Sequence, residues 1–337
     1  MNSFGRIFRV SVFGESHGPC VGVTIDGCPA GMPLTAEDLL PDLARRKPGA
    51  KGTTPRKEAD LPVFSSGLFN DHTTGSPLTI LFENNNTRSA DYEKQRAIPR
   101  PGHADFVAAH KYGGFEDYRG GGHFSARVTT GIVAAGAIAK KLLRGPADEA
   151  VTVEAVLTEV GGEADPEKGL QKAIDAKDSV GGILECRVKG LPIGLGEPFF
   201  DSAESLLAHA VFAIPAVRGI EFGTGFAAAR MFGSEHNDAI EDASGKTRTN
   251  HAGGIVGGIT NGNELVFRIA VKPTSSTPKL QHTWNRETDR IEDFSVKGRH
   301  DLCVALRAPV ILEAVTAIVL ADLLLIEQQR PRIWDDA

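Results

Sequence analysis

The sequence predicts an α+β fold, and three observations carry that expectation. Strand-like and helix-like runs mix irregularly, without the βαβ beat that builds a parallel sheet. The stretch VTTGIVAAGAIAKKLL is small and apolar, which suits a central helix packed closely on its neighbours. No internal repeat or low-complexity tract breaks the pattern.

Along the chain, Val10 to Phe13 and Val21 to Ile25 are β-rich runs joined by the polar loop GESHG, which carries His17. Thr35, followed by Ala36, Glu37 and Asp38, has the signature of a helix start, and that helix is expected to reach Arg45 and Arg46 across Pro41. Lys47-Pro48-Gly49 ends it. From Arg45 to Lys57, six of thirteen residues are Lys or Arg, an anion-seeking segment. Short strands follow at Val63 and at Leu78 to Phe82, and the central helix occupies Ala126 to Leu143. Further strands are expected at Thr152 to Val160, Gly182 to Val188 and Leu265 to Val271. Helices are expected at Pro166 to Lys177, Ser202 to Ile214 and Pro309 to Ile326.

A chain of 337 residues, 41% hydrophobic, can bury a large core; length alone suggests about two domains and leaves one large domain open. The net charge of -6 argues against a partner that is nucleic acid, since backbone binding needs clustered excess Lys and Arg. The four cysteines are scattered with no C-x-x-C pair, which points to neither a zinc site nor a disulfide framework, and a reducing cytoplasm is the simplest setting. The start, MNSFGRIFRVSVFG, has no long apolar core of a signal peptide. Val310 to Ile326 carries Glu313 and Asp322 and falls short of the ~20 apolar residues that span a bilayer, so it is expected to be a buried helix and no membrane partner is expected.

The strongest chemical signal is RGGGHFSAR, Arg119 to Arg127. Successive glycines let backbone N–H groups approach a ligand, and a following helix start attracts phosphate. Such a cluster alone is commonly a turn before a core helix; the flanking arginines shift it towards binding. His17 and His103, each in a polar loop among charged neighbours, are candidate proton donors to departing negative charge. GRHDLCVALR places Arg299, Asp301 and Arg307 before the last helix, a set equally compatible with a surface ion-pair cluster. No metal-ligand spacing occurs. Gly223-Thr224-Gly225-Phe226-Ala227-Ala228 fits a dinucleotide pattern but lacks a βαβ frame, and reads as a turn. A nicotinamide oxidoreductase and a non-catalytic phosphate-binding protein are the rival classes.

Taken in order, FRVSVFGESHG, RRKPG, RPGHAD, DYRGGGHFSAR, NHAGGIVGGI, KPTSS and GRHDLCVALRA resemble the chorismate synthase family along nearly the whole chain. The resemblance implies elimination of phosphate from 5-enolpyruvylshikimate 3-phosphate, using reduced FMN without net redox change. It implies a single domain over residues 1–337, a β-α-β sandwich of two antiparallel sheets around central helices, and a homotetramer. NADPH or a separate flavin reductase is implied as the source of reducing equivalents. By motif, His17 matches the histidine assisting the departing phosphate, His103 the one stabilising reduced flavin, and Asp301 the carboxylate near flavin N5. His123, Phe124, Ser125, Pro215, Ala216, Gly257, Lys272, Pro273, Thr274, Ser275, Ser276 and Arg299 match flavin-contacting positions. Arg46, Lys51, Arg127 and Arg307 match positions for substrate or NADPH. Phe124 stands where many members have serine, and Pro215 where some have asparagine.

Overall fold

The computed structural model describes residues 2–54, 58–86, 96–145, 151–296 and 300–329. Its first sheet contains β1 (Ser3–Phe4), β2 (Arg9–Gly14), β3 (Cys20–Asp26), β4 (Val63–Ser66) and β7 (Leu78–Glu83), in the order β1-β2-β3-β7-β4, with a small hairpin of β5 (Leu68–Phe69) and β6 (His72–Thr73) between the last two in sequence. The second contains β8 (Thr152–Val160), β9 (Gly182–Lys189), β10 (Val217–Phe222) and β13 (Leu265–Val271), ordered β10-β13-β9-β8. Hairpins β11 (Ile255–Val256) with β12 (Ile259–Thr260), and β14 (Gln281–Asn285) with β15 (Arg290–Phe294), stand apart. Every one of these pairings is antiparallel. Burial alternates along β7, β9 and β13, so each sheet offers one apolar face to the interior.

The helices are α1 (Leu40–Arg46), α2 (Asp105–Tyr112), α3 (Thr129–Arg144), α4 (Pro166–Ala176), α5 (Ala203–Val211), the single turn α6 (Gly233–His236) and α7 (Pro309–Gln329). Helix α3 packs on β2, β3 and β7 with one side and on α7 with the other, while α7 packs on β8 and β9. The layers therefore run sheet, α3, α7, sheet, the predicted β-α-β sandwich. The small residues of α3 make this possible: a Cβ at Gly136 would lie 2.2 Å from the Cβ of Ala314, inside any allowed contact. A window of α7, Pro309–Gln328, is long and apolar enough to cross a membrane, yet 78% of it is buried within the protein.

One charged cluster sits among these layers. Glu313 of α7 accepts from both terminal nitrogens of Arg45 at 2.6 Å, from Lys140 Nζ at 2.7 Å and from the Ala155 amide at 3.0 Å, joining α1, α3, α7 and β8. Burial alone would raise the Glu313 carboxyl; the hydrogen bonds from Arg45 and the charge of Lys140 outweigh it and hold the group below its ordinary range.

Two expectations need correction. The helix expected from Thr35 begins only at Leu40, because proline is tolerated in a first turn and not inside a helix, so Pro41 sets the start. The last helix extends beyond Ile326 to Gln329. The dinucleotide-like glycines behave as expected for a turn: β10 pairs antiparallel with β13 and leads into the 3-10 turn Gly225–Arg230, so no parallel crossover exists there.

Gly136→Val is expected to force α3 and α7 apart and cost about 1–3 kcal/mol or more; an unfolding midpoint equal to wild type in urea would contradict that packing. The Glu313 carboxyl lies below its ordinary value of 4.5, so its contribution is complete above that pH and drains away as acid is added. Glu313→Gln should be less stable at neutral pH and show a shallower loss of stability below pH 4.5 than wild type, measured by denaturant unfolding across pH.

Candidate functional site

Residues 119–124 form a tight turn in which Gly120, Gly121 and Gly122 all have positive φ, at 60°, 83° and 53°. Side chains are disfavoured in that region, and here they are also excluded by contact. A Cβ at Gly120 would lie 2.6 Å from His17 Cδ2, and one at Gly121 would lie 3.3 Å from His103 Cε1. The glycine turn is thus a thin wall with a histidine against each of two consecutive residues. His17 is only 8% exposed, and the amide of Ser16 donates to Gly122 O at 3.0 Å, which seats the GESHG loop on the turn. The three features brought together from sequence are neighbours in space.

His103 is fixed by its own loop. Its Nδ1 lies 2.6 Å from Asp105 Oδ1, while Arg100 Nη2 lies 3.1 Å from the same nitrogen. A carboxylate only accepts, so Nδ1 carries the proton and donates to Asp105, and Arg100 serves Asp105 instead through Nε at 2.7 Å and Nη2 at 2.8 Å. Burial alone would raise the Asp105 carboxyl, but the hydrogen bonds from Arg100 and His103 hold it far below the usual carboxylate range. That tautomer leaves Nε2 of His103 as the atom on the glycine side. Arg100 Nη1 also donates to Ser276 Oγ at 3.3 Å, and Lys272 Nζ and Ser275 Oγ donate to Gly102 O at 2.8 and 2.7 Å. The Lys272 to Ser276 loop is thereby pinned to the His103 loop, and Lys272 also donates its amide to Ala216 O at 2.9 Å. Pro273 lies within this pinned segment, and the hydroxyl of Thr274 is buried without a hydrogen-bond partner.

On the other side of the turn, Arg46, Arg127 and Arg307 line one pocket of about 90 Å³ with Thr54, Glu58 and Asp60. Arg46 is 3% exposed and is held by Thr129 Oγ1 at 3.1 Å, Ala126 O at 3.0 Å and Asp60 at 3.4 Å. Arg127 donates to Asn84 Oδ1 at 2.9 Å, to Glu83 O at 3.2 Å and to Asp60. Arg307 donates to Arg46 O at 3.0 Å and pairs with Asp301 at 3.3 Å, whose Oδ1 also accepts the Thr54 amide at 2.8 Å. Burial first, and then the neighbouring charge of Arg307, pull the Arg46 guanidinium down to about 9. Arg46 and Arg127 have already lost nearly all their water, a condition that suits such a cluster to an incoming anion. Asn84 ties this pocket to His17: its amide nitrogen donates to Glu15 O at 2.9 Å and Gly18 O at 2.8 Å while its oxygen holds Arg127.

A small cleft of about 20 Å³ shares Ala126 and Arg307 with the arginine pocket, and Thr129 and Pro215 with a larger cavity of about 420 Å³. That cavity is walled mainly by apolar side chains, among them Val12, Ile132, Val315 and Ile318, with His123, Ser125 and Pro215 at its edge. His123 stacks on Phe124 at 4.3 Å, and Phe124 lines a small pocket with His103 on the opposite side of the turn. Ala216, beside Pro215, has φ 72°.

Some expected residues lie elsewhere. Lys51 donates to Gln171 on α4 at 2.9 Å and is spent at the surface. Gly257 sits at the exposed tip of the β11–β12 hairpin, next to Gly258, which packs on Glu197 and Ser202. Arg119 is taken up by Asp117 at 2.8 Å, so the second arginine of the expected cradle comes from Arg46 instead. Arg299 falls outside the described residues. Asp60, Asn84 and Thr129 were not legible: each is a lone polar residue without a motif, and its partners are distant in sequence.

A family model described as chorismate synthase matches residues 8–325. The chorismate synthase of Chitinophaga pinensis is 74% identical over 334 residues, covering 99% of both chains. That of Dehalococcoides mccartyi is 45% identical over 359 residues, covering 98% of this chain and 99% of its own. A solved structure titled "Crystal Structure of Chorismate Synthase" superposes with a TM-score of 0.71 at 28% identity, covering 96% of this chain and 93% of that one.

Proposed function

The chain belongs to the chorismate synthase family, and we propose that His17, His103, Asp301 and the arginine pocket are the parts of it that carry out the family's reaction. That reaction is a lyase step of the shikimate pathway: phosphate leaves 5-enolpyruvylshikimate 3-phosphate, a ring hydrogen is lost, and chorismate results. It requires reduced flavin and involves no net redox change.

The observation that carries the assignment of parts is the convergence of Arg46, Arg127 and Arg307 beside the His17 loop. As the C–O bond breaks, its electron pair goes to the phosphate oxygen. The three guanidinium groups are suited to hold the phosphate, and His17 to supply positive charge or a proton to the leaving oxygen. Asp301, already aligned by Arg307 and the Thr54 amide, serves as the carboxylate near the site of proton loss. Lys51 belongs to this reading only if its segment swings from Gln171 towards the pocket on binding.

For the flavin, we infer FMN. The group fits the residues present: the cavity of about 420 Å³ is large and largely apolar, His123, Ser125 and Pro215 are among its lining, and the buried Thr274 hydroxyl has no hydrogen-bond partner. Phe124, Ala216 and the Lys272 to Ser276 loop complete the set, with Gly257 and Arg299 as its outer members. Reduced flavin supplies electron density transiently as phosphate departs. His103, whose Nδ1 is pinned to Asp105, offers Nε2 to hold a proton towards it.

The same reading takes residues 1–337 as one domain in the cytoplasm, acting as a homotetramer, with NADPH or a separate reductase furnishing electrons. Phe199, Phe200, Phe226 and Phe232 are 87%, 93%, 82% and 77% exposed, apolar surface of the kind that further copies would cover.

Purified protein given the enolpyruvyl substrate and dithionite-reduced FMN under anaerobic conditions is expected to form chorismate with catalytic flavin. Stoichiometric cofactor consumption would instead indicate an oxidoreductase, and folded protein without turnover would sink the assignment. His17→Ala and His103→Ala should each slow turnover by about 100-fold or more while flavin still binds in a spectroscopic titration. A wild-type rate in either variant removes that histidine from the mechanism.

A further inference from the structure

Among the described residues, Asp60 is the one carboxylate that bonds two of the three pocket arginines. Its side chain is 2% exposed, one oxygen accepts from Arg46 Nη1 at 3.4 Å, and the other accepts from Arg127 Nη1. Its backbone has φ 50°, a conformation that asparagine and aspartate tolerate better than most residues. The remaining carboxylates of the pocket are otherwise engaged: Asp301 pairs with Arg307, and Glu58 accepts the amides of Asn85 and Asn86. Without Asp60, Arg46 and Arg127 would lose the carboxylate that bonds both of them, and removing one partner of a buried ion pair is strongly destabilising.

From this placement we propose that Asp60 is a built-in counter-anion: it occupies the electrostatic place of the ligand's phosphate while the pocket is empty, and opposes that phosphate once it is bound. The proposal rests on the arginine pocket being the phosphate site. In the empty pocket Asp60 holds Arg46 and Arg127 in position and offsets their repulsion. When a phosphate enters, the same cations gain a second anionic partner, and Asp60 becomes a like charge close to it. Its net effect is to keep the site ordered and to loosen its hold on inorganic phosphate, so that the leaving group can depart. Burial first, and then the neighbouring charge of Arg307, depress the Arg46 guanidinium, as befits a cation enclosed beside other cations. Asp60 acts through the arginines and is a positioning residue, not a catalytic one.

Asp60→Asn is the informative variant, because it removes the charge while keeping the size and the tolerance for positive φ. Inorganic phosphate is the probe, titrated against the full chain by calorimetry and by thermal unfolding. The variant is expected to unfold at a lower temperature than wild type without phosphate and to recover most of the difference with it. Its dissociation constant for phosphate should fall at least tenfold; removing one unit charge about 4 Å away predicts up to about a thousandfold at an effective dielectric of about 20. Inhibition of turnover by added phosphate should sharpen in parallel. In the double variant Asp60→Asn with Arg46→Gln, which removes one charge of each sign, phosphate affinity should return to the wild-type value or below. Equal or weaker phosphate binding by Asp60→Asn, or a variant that stays unfolded even in phosphate, would show a purely structural carboxylate and overturn the proposal. If wild type itself shows no phosphate response, the arginine-pocket reading falls, and this proposal with it.

Discussion

Keeping three guanidinium groups out of water in a chain of net negative charge is the constraint on which the site depends. Burial of a cation is unfavourable unless acceptors are supplied at fixed positions, and Arg46 obtains them from Ala126 O, Thr129 Oγ1 and Asp60. Two of these acceptors belong to the turn that opens α3 and to its first residue. The position of α3 is in turn set by its close approach to α7 and to the first sheet. An interaction between small residues deep in the core therefore fixes where the cations of the site stand.

The glycine turn has a property that its composition alone does not reveal. A run of glycines before a helix is commonly understood as a phosphate cradle. Here its main observable property is thinness: two histidines from separate loops rest against consecutive glycines, with no side chain between them. His17 belongs to the loop that Asn84 ties to the arginine pocket, and His103 is tied through Asp105 and Arg100 to the Lys272 to Ser276 loop. Arg46, Arg127 and Arg307 line one pocket, while the larger cavity is walled mainly by apolar side chains.

Much of the secondary structure was legible because burial of one face imposes a period on the sequence. The strands at Thr152–Val160 and Leu265–Val271 match their expected bounds, and the small-residue run became the central helix. The start of α1 was misplaced because a capping-like pattern at Thr35 was weighed above the steric rule for Pro41. Strand β10 and the β14–β15 hairpin were not identified; Val217–Phe222 is short, and its partner β13 lies more than forty residues away. The layered sandwich itself followed from the family resemblance, since strand periodicity does not say which sheets a helix will separate.

For the site, local chemistry named His17, His103 and the glycine run, because loops rich in glycine and ionisable residues carry their meaning in adjacent positions. The same local reading offered Arg127, Arg307 and Asp301, and resemblance gave Arg46 and Lys51 their place. The tertiary structure alone decided the pairing: that Asp60 holds two of those arginines, that Arg119 turns to Asp117, and that Lys51 rests on Gln171. Residue type and spacing by themselves determined which side chains can bear charge or transfer a proton and which segments must bury an apolar face. Which charges share one pocket depends on how distant segments dock, and a hydrogen bond between residues eighty positions apart leaves no periodic trace in the sequence.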